Sequence, residues 1–202
     1  MEESKNSIMP AIKELERLYR LFNEKLFSGK LDKDIRILIQ TRGRKKKVIG
    51  FHAPKRWKNT ENGDYVTEIT LCAEDLNKHD PCEVLIHECA HNFNFQRGIA
   101  DCCSNRYHNK YFKQAAEDAG LIVEQDLMYG FCITSLGHRA QAVIDEAKPA
   151  LGLFKTVRLD GFVAPTYLRK FMCTCGMIIR VARVSEFSAT CNNCGTPFLL
   201  SD

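Results

Sequence analysis

The chain has 202 residues, 45% of them hydrophobic, and a formal net charge of +4. This length holds one main domain of about 150 residues plus a small module. The composition is ordinary for a globular protein, and no run reaches the ~18 apolar residues that span a bilayer, so a helical membrane protein is excluded.

Residues 8–27 carry Ile12, Leu15, Leu18, Tyr19, Phe22 and Leu26 at helical spacing, and Gly29 ends this predicted helix. Residues 35–40 read as a strand. A basic run follows: Arg42, Arg44, Lys45, Lys46 and Lys47. Such a run is either a solvated turn or a patch that touches phosphate. Residues 48–52 read as a second strand. His52 in that strand either packs or lines a cleft. Trp57 beyond it is either a packing residue or a platform on which a nucleic-acid base stacks. Asn62-Gly63 marks a turn, and residues 65–72 alternate as a third strand.

The most informative stretch is His87-Glu88-Cys89-Ala90-His91. Two histidines four apart share one face of a helix, so both imidazoles can bind one zinc ion. Glu88 beside them is placed to take a proton from a water activated by the metal. The flanking residues supply the helix. Asp80 serves as N-cap, Pro81 fits the first position, and Glu83 completes a capping box. Val84, Leu85, Ile86, Ala90, Phe93 and Phe95 make the helix largely apolar, and Gly98 is its expected C-cap. Polar groups buried in such a helix need partners. The alternative is hydrogen-bonded core histidines, and the agreement of motif, helix and buried setting favours metal ligands.

The third ligand must come from elsewhere. The position six beyond His91 is Arg97, which cannot serve. Glu117, Asp101, Cys102 and Cys103 are rivals, and His108 is favoured. Residues 98–107 make a loop long enough to reverse the chain. A second helix follows, with Tyr111, Phe112, Ala115, Ala116 and Ala119 on its apolar side and Gly120 closing it. His108, at the start of that antiparallel helix, reaches the metal. Arg106 and Tyr107 adjoin it as candidate oxyanion donors, with packing or solvation as the alternative. Residues 129–134 are ambiguous. Residues 138–150 look helical, broken near Pro149, and residues 151–169 read as a linker. Strands grouped rather than alternating with helices indicate α+β.

The chain has ten cysteines. Residues 1–6 are charged and lack the apolar core of a signal peptide, so a cytoplasmic protein is expected. Cysteines in that compartment point to metal or buried thiols. Cys173-x-Cys175 and Cys191-x-x-Cys194 form two close pairs with Gly176 and Gly195 after them, the pattern of a zinc ribbon. The first knuckle is one residue short and therefore strained. Cys72, Cys82, Cys89, Cys102, Cys103 and Cys132 show no such pairing. Residues 151–202 carry six basic and three acidic side chains, so this end is the more basic per residue.

With these residues assembled, the chain resembles the SprT-like metallopeptidases, the Spartan-related family. Leu18-Tyr19 and Phe22-Asn23-Glu24-Lys25-Leu26-Phe27 are similar to that family's opening helix. Gly50-Phe51-His52, Trp57 and Glu68-Ile69-Thr70-Leu71 resemble its strands before the metal helix. Residues 87–91 match its zinc motif, and Tyr107-His108-Asn109-Lys110-Tyr111-Phe112 resembles the segment that gives its third ligand. The four terminal cysteines, with Arg180 between them, resemble the zinc ribbon of its bacterial, phage and mobile-element members. The resemblance implies a zincin-like core with a protease activity directed at proteins crosslinked to DNA and activated by DNA.

These readings predict a metallopeptidase domain over 1–150, a linker over 151–169 and a zinc ribbon over 170–202. One catalytic zinc is expected on His87, His91 and His108, with Glu88 as general base, and one structural zinc on Cys173, Cys175, Cys191 and Cys194. Arg42, Arg44, Lys45, Lys46, Lys47 and Trp57 are the candidate nucleic-acid contacts. The expected partners are a protein substrate and single-stranded or damaged DNA, with the protein a monomer away from membranes. The competing reading is a non-catalytic, zinc-stabilised nucleic-acid-binding protein that uses the ribbon and the basic turn.

Overall fold

A computed structural model describes residues 7–43, 48–159, 168–182 and 187–201. The chain divides into two compact units, Met1–Leu159 and Asp160–Asp202. The architecture is α+β. No helix among the described residues is long and apolar enough to cross a membrane.

The first unit opens with α1, Met9–Leu26, which buries Ala11, Leu15, Leu18, Tyr19, Phe22 and Leu26 on one face. It ends where Ser28 and Gly29 turn to positive φ, and the Gly29 N–H closes the turn on the Asn23 carbonyl at 2.7 Å. The returning chain forms a three-stranded sheet from β1 (Ile35–Gln40), β2 (Gly50–Lys58) and β3 (Tyr65–Cys72), in the order β1-β3-β2. β3 lies in the centre, parallel to β1 and antiparallel to β2. Its side chains Ile69 and Leu71 join Ile37 of β1 in the main core.

β2 is longer than the 48–52 expected from sequence. Pro54 cannot donate to a ladder, so the pattern breaks there. The chain answers with a bulge: Lys55 takes φ +53°, pairing shifts between Ala53 and Trp57, and the strand resumes with Trp57 opposite Val66.

The next helix, α2 (Pro81–Gln96), starts where the sequence places it. The Asp80 side chain accepts the Cys82 N–H at 2.7 Å, and Pro81 occupies the first turn. The capping box does not form as expected, because Glu83 accepts a hydrogen bond from the Thr134 hydroxyl at 2.8 Å instead. Gly98, at φ +69°, follows the helix end. Then come α3 (Lys110–Asp118), β4 (Leu121–Asp126), β5 (Gly130–Leu136) and α4 (His138–Ala147).

The β4–β5 hairpin is the main feature that sequence reading missed. Its alternation is weak because Ile122 and Ile133 point outward and stay exposed, while Leu121 faces the core. The expected linker also begins differently. Leu151–Phe154 forms a short 3-10 helix, Phe154 is buried, and the Arg158 N–H donates to the Ala73 carbonyl at 2.9 Å. One large side chain anchors a segment that has no periodicity to betray it.

The second unit contains β6 (Leu168–Met172), β7 (Ile178–Ala182) and β8 (Leu199–Leu200), antiparallel in the order β7-β6-β8. Among its described residues the buried apolar cluster is small: Cys173, Cys191 and Phe198.

Candidate metal centre

α2 places His87 and His91 one turn apart on a single face. His108 is not part of α3, contrary to expectation; it precedes the N-cap Asn109. Sheet-like hydrogen bonds fix it instead. Its N–H donates to the Tyr129 carbonyl at 2.9 Å, and its carbonyl accepts the Phe131 N–H at 3.0 Å. The third histidine is therefore stitched to the β4–β5 hairpin.

This arrangement brings one ligand atom from each of His87, His91 and His108 within 4.8 Å of the others. Phe112 forms the floor beneath them. Its ring centroid lies 4.5 Å from those of His87 and His91 and 4.6 Å from that of His108. Phe112 is fully buried, so the three rings rest on a fixed surface.

Hydrogen bonds outside the triad select which nitrogen faces inward. His91 Nδ1 lies 3.0 Å from Asp101 Oδ2, and His108 Nδ1 lies 3.0 Å from the Arg106 carbonyl oxygen. Both of those oxygens accept, so each Nδ1 carries the proton and each Nε2 keeps its lone pair. His87 Nδ1 is 3.3 Å from Thr134 Oγ1. His91 Nε2 and His108 Nε2 approach to 3.1 Å. Two bare lone pairs that close repel unless a cation lies between them. Two nitrogens on one tetrahedral zinc, each bonded at ~2.0–2.1 Å, stand about 3.3 Å apart. The donor set fits zinc.

The other proposed ligands lie elsewhere. Asp101 orients His91 from outside and also accepts the Asn94 amide at 3.0 Å. Burial works against its charge, but the hydrogen bonds from His91 and Asn94, with the charge of His91, hold its pKa below the usual value. Cys102 and Cys103 are exposed, and the Cys103 thiol donates to Asn105 Oδ1. Glu117 sits 3.7 Å from Lys113 on the outer side of α3. Burial lowers the pKa of His87 well below its ordinary value and that of His108 to about 4, with His91 adding to both. His87 and His108 are thus poised neutral.

Glu88 is buried at 4% exposure and is none of the clustered ligands. Burial raises its pKa to about 7, opposed by His91 and by a hydrogen bond from the His52 N–H. Strand β2 reaches the carboxylate this closely because position 50 is glycine. A Cβ there would lie 2.7 Å from Val84 Cγ1 and 3.0 Å from Glu88 Oε1. The His52 ring stacks on His91 with centroids 6.5 Å apart, and His52 also lines a neighbouring cleft of about 530 Å³ with Phe51, Trp57 and Glu68.

The two candidate oxyanion donors differ in placement. The Arg106 guanidinium lies over the Tyr129 ring, 5.1 Å from its centroid. The Tyr107 ring packs against Gly130. Gly130 takes φ +67°, and a Cβ there would collide with the His108 carbonyl oxygen. Gly130→Ala is therefore expected to destabilise the protein by at least about 1–3 kcal/mol. The urea midpoint of the zinc-free protein measures this, and an unchanged midpoint would contradict the crowded junction.

Of the candidate nucleic-acid contacts, Arg42 is engaged internally. Its guanidinium bonds Asp75 at 2.6 Å, and its N–H donates to Glu74 at 3.2 Å. Trp57 is 43% exposed, but its indole N–H donates to Glu68 at 2.8 Å and the Arg36 guanidinium covers its ring at 4.9 Å. Arg44, Lys45, Lys46 and Lys47 lie outside the described residues.

In the second unit, sulfur atoms of Cys173, Cys175, Cys191 and Cys194 all lie within 4.8 Å of one another. Gly176 and Gly195, at φ +83° and +70°, turn the two knuckles. The Gly195 N–H closes its turn on the Cys191 carbonyl, and the Gly176 N–H closes a turn one residue shorter on the Cys173 carbonyl. The short knuckle draws its sulfurs to 3.2 Å, against 3.8 Å between Cys175 and Cys191. Sulfurs on one tetrahedral zinc stand about 3.8 Å apart. The Thr196 hydroxyl beside Cys194 lowers that thiol's pKa to about 5, toward the thiolate that binds metal.

The model of the SprT-like family matches residues 15–135 of the chain. Neither a curated protein nor a solved structure matches it.

Proposed function

The chain belongs to the SprT-like family, and on that premise we propose that it is a zinc-dependent peptidase, with zinc held by His87, His91 and His108. The observation that carries this reading is the three imidazoles anchored from outside, next to a buried carboxylate that is not one of them. A structural zinc site is closed by four protein ligands, whereas a catalytic site keeps a position open. Among the described residues, three side chains form this cluster.

When bound, zinc supplies a Lewis acid that acidifies a water and polarises a peptide carbonyl. Glu88 takes the proton of the attacking water and returns it to the leaving amine. Burial makes this carboxylate a stronger base than one in water, and the His52 N–H holds it in place. Phe112 and the outer hydrogen bonds keep the imidazoles from turning away.

The substrate class follows from family likeness and charge: polypeptides bound or crosslinked to DNA. The ribbon, with Lys170 and Arg180 on β6 and β7, and the basic segment 44–47 supply the contacts to phosphate. The test uses the purified full chain, with a DNA-binding protein offered free and crosslinked to single-stranded DNA. Cleavage should stop with a chelator, return with zinc, and favour the crosslinked form. Cleavage indifferent to the chelator would sink the metal reading. Equal cleavage of the two forms would sink the DNA-linked substrate alone.

A further inference from the structure

We propose that Thr134 and Glu83 act as a positioning pair that fixes His87 as a zinc ligand through Nε2; this rests on the reading of the histidine triad as a zinc centre. A helix fixes where a histidine starts, but not which ring nitrogen faces the metal. The partner of the other nitrogen decides that. For His91 the partner is the Asp101 carboxylate, and for His108 it is a backbone carbonyl. Each accepts only, so each dictates the tautomer by itself. His87 has a hydroxyl instead, 3.3 Å away on Thr134. A hydroxyl can donate as well as accept, so alone it leaves the tautomer undecided.

Glu83 removes that ambiguity. Its Oε1 lies 2.8 Å from Thr134 Oγ1. A carboxylate accepts, so the hydroxyl proton points to Glu83. The oxygen then accepts from His87 Nδ1–H, and the Nε2 lone pair faces His91 and His108. The sequence prepares this geometry. Glu83, His87 and His91 follow at intervals of four along α2, so they form one stripe. Glu83 is available because Asp80 caps the helix through Cys82 without it.

β5 carries the bridging hydroxyl, and the same hairpin bonds the backbone of His108 on both sides. It thus touches two of the three ligands. Thr134 and Glu83 contact no reacting atom in this scheme. They act on zinc through His87.

The experiment is zinc affinity, measured on the full chain by competition with a chromogenic chelator. Thr134→Val keeps the shape and removes the hydroxyl. It should weaken one zinc site by about 10- to 100-fold. Thr134→Ser should restore affinity to within a few-fold of the unaltered protein. Glu83→Gln, whose amide can donate to Thr134 and reverse the relay, should also weaken zinc. Affinity unchanged in Thr134→Val would overturn the proposal. So would an equal loss in Thr134→Ser, because that marks a packing role for the threonine. An unaltered protein that holds only an ion on the four cysteines, with none on the histidines, would overturn the triad reading itself and this proposal with it.

Discussion

Replacing Glu88 by Gln is expected to leave zinc bound and to lower turnover by about 10²–10⁴-fold, the range lost when a positioned proton acceptor is removed. Zinc should stay because Glu88 is outside the ligand cluster. Packing should also persist, since Gln has the same shape against Gly50, and its amide oxygen can accept from the His52 N–H. What disappears is an oxygen able to hold the proton of the attacking water. Metal content by mass spectrometry and single-turnover cleavage on the same sample separate the two effects. Undiminished cleavage would remove Glu88 as the base. Loss of zinc together with cleavage would mean that the carboxylate supports the metal, not the proton transfer.

The residues that carry this prediction were legible because their signals are local. Asp80, Pro81 and Gly98 mark the ends of α2 within the chain itself, and His87 and His91 are placed by helix geometry alone. Residue type and chain reversal point to His108, whereas its anchoring by the β4–β5 hairpin has no local signal. The outer partners could not be read. Thr134 reaches His87 from 47 residues away, and Glu83 gives up its expected capping role for a partner 51 residues along the chain. A sequence shows that a carboxylate is in the first turn of a helix, not which distant hydroxyl competes for it. Asp101 likewise reads as a rival ligand in the sequence, because an acid that binds the metal and an acid that binds the ligand's far nitrogen are the same residue type. β4 is not legible in the sequence because its outward apolar side chains blur the alternation that defines a half-buried strand.

Cys191→Ser should unfold the second unit while the first stays folded. The reason is the balance between core and length. Among its described residues the unit Asp160–Asp202 buries a cluster of Cys173, Cys191 and Phe198, and two of those three are candidate metal ligands. A segment this short does not bury enough apolar surface to offset the entropy of ordering it, and such modules rely on metals or disulfides. A structural zinc contributes on the order of 10–16 kcal/mol at neutral pH, so folding and metal binding become one event. Removing one thiolate leaves three ligands and opens the sphere. The first unit has its own core, built mainly from α1, α2 and the β1-β3-β2 sheet. The expected result is collapse of the amide dispersion of residues 168–182 and loss of one zinc per chain, with the urea midpoint of the first unit unchanged. Retained dispersion in excess chelator would show that strands β6 and β7 stand without the ion, and the four sulfurs would then need another explanation.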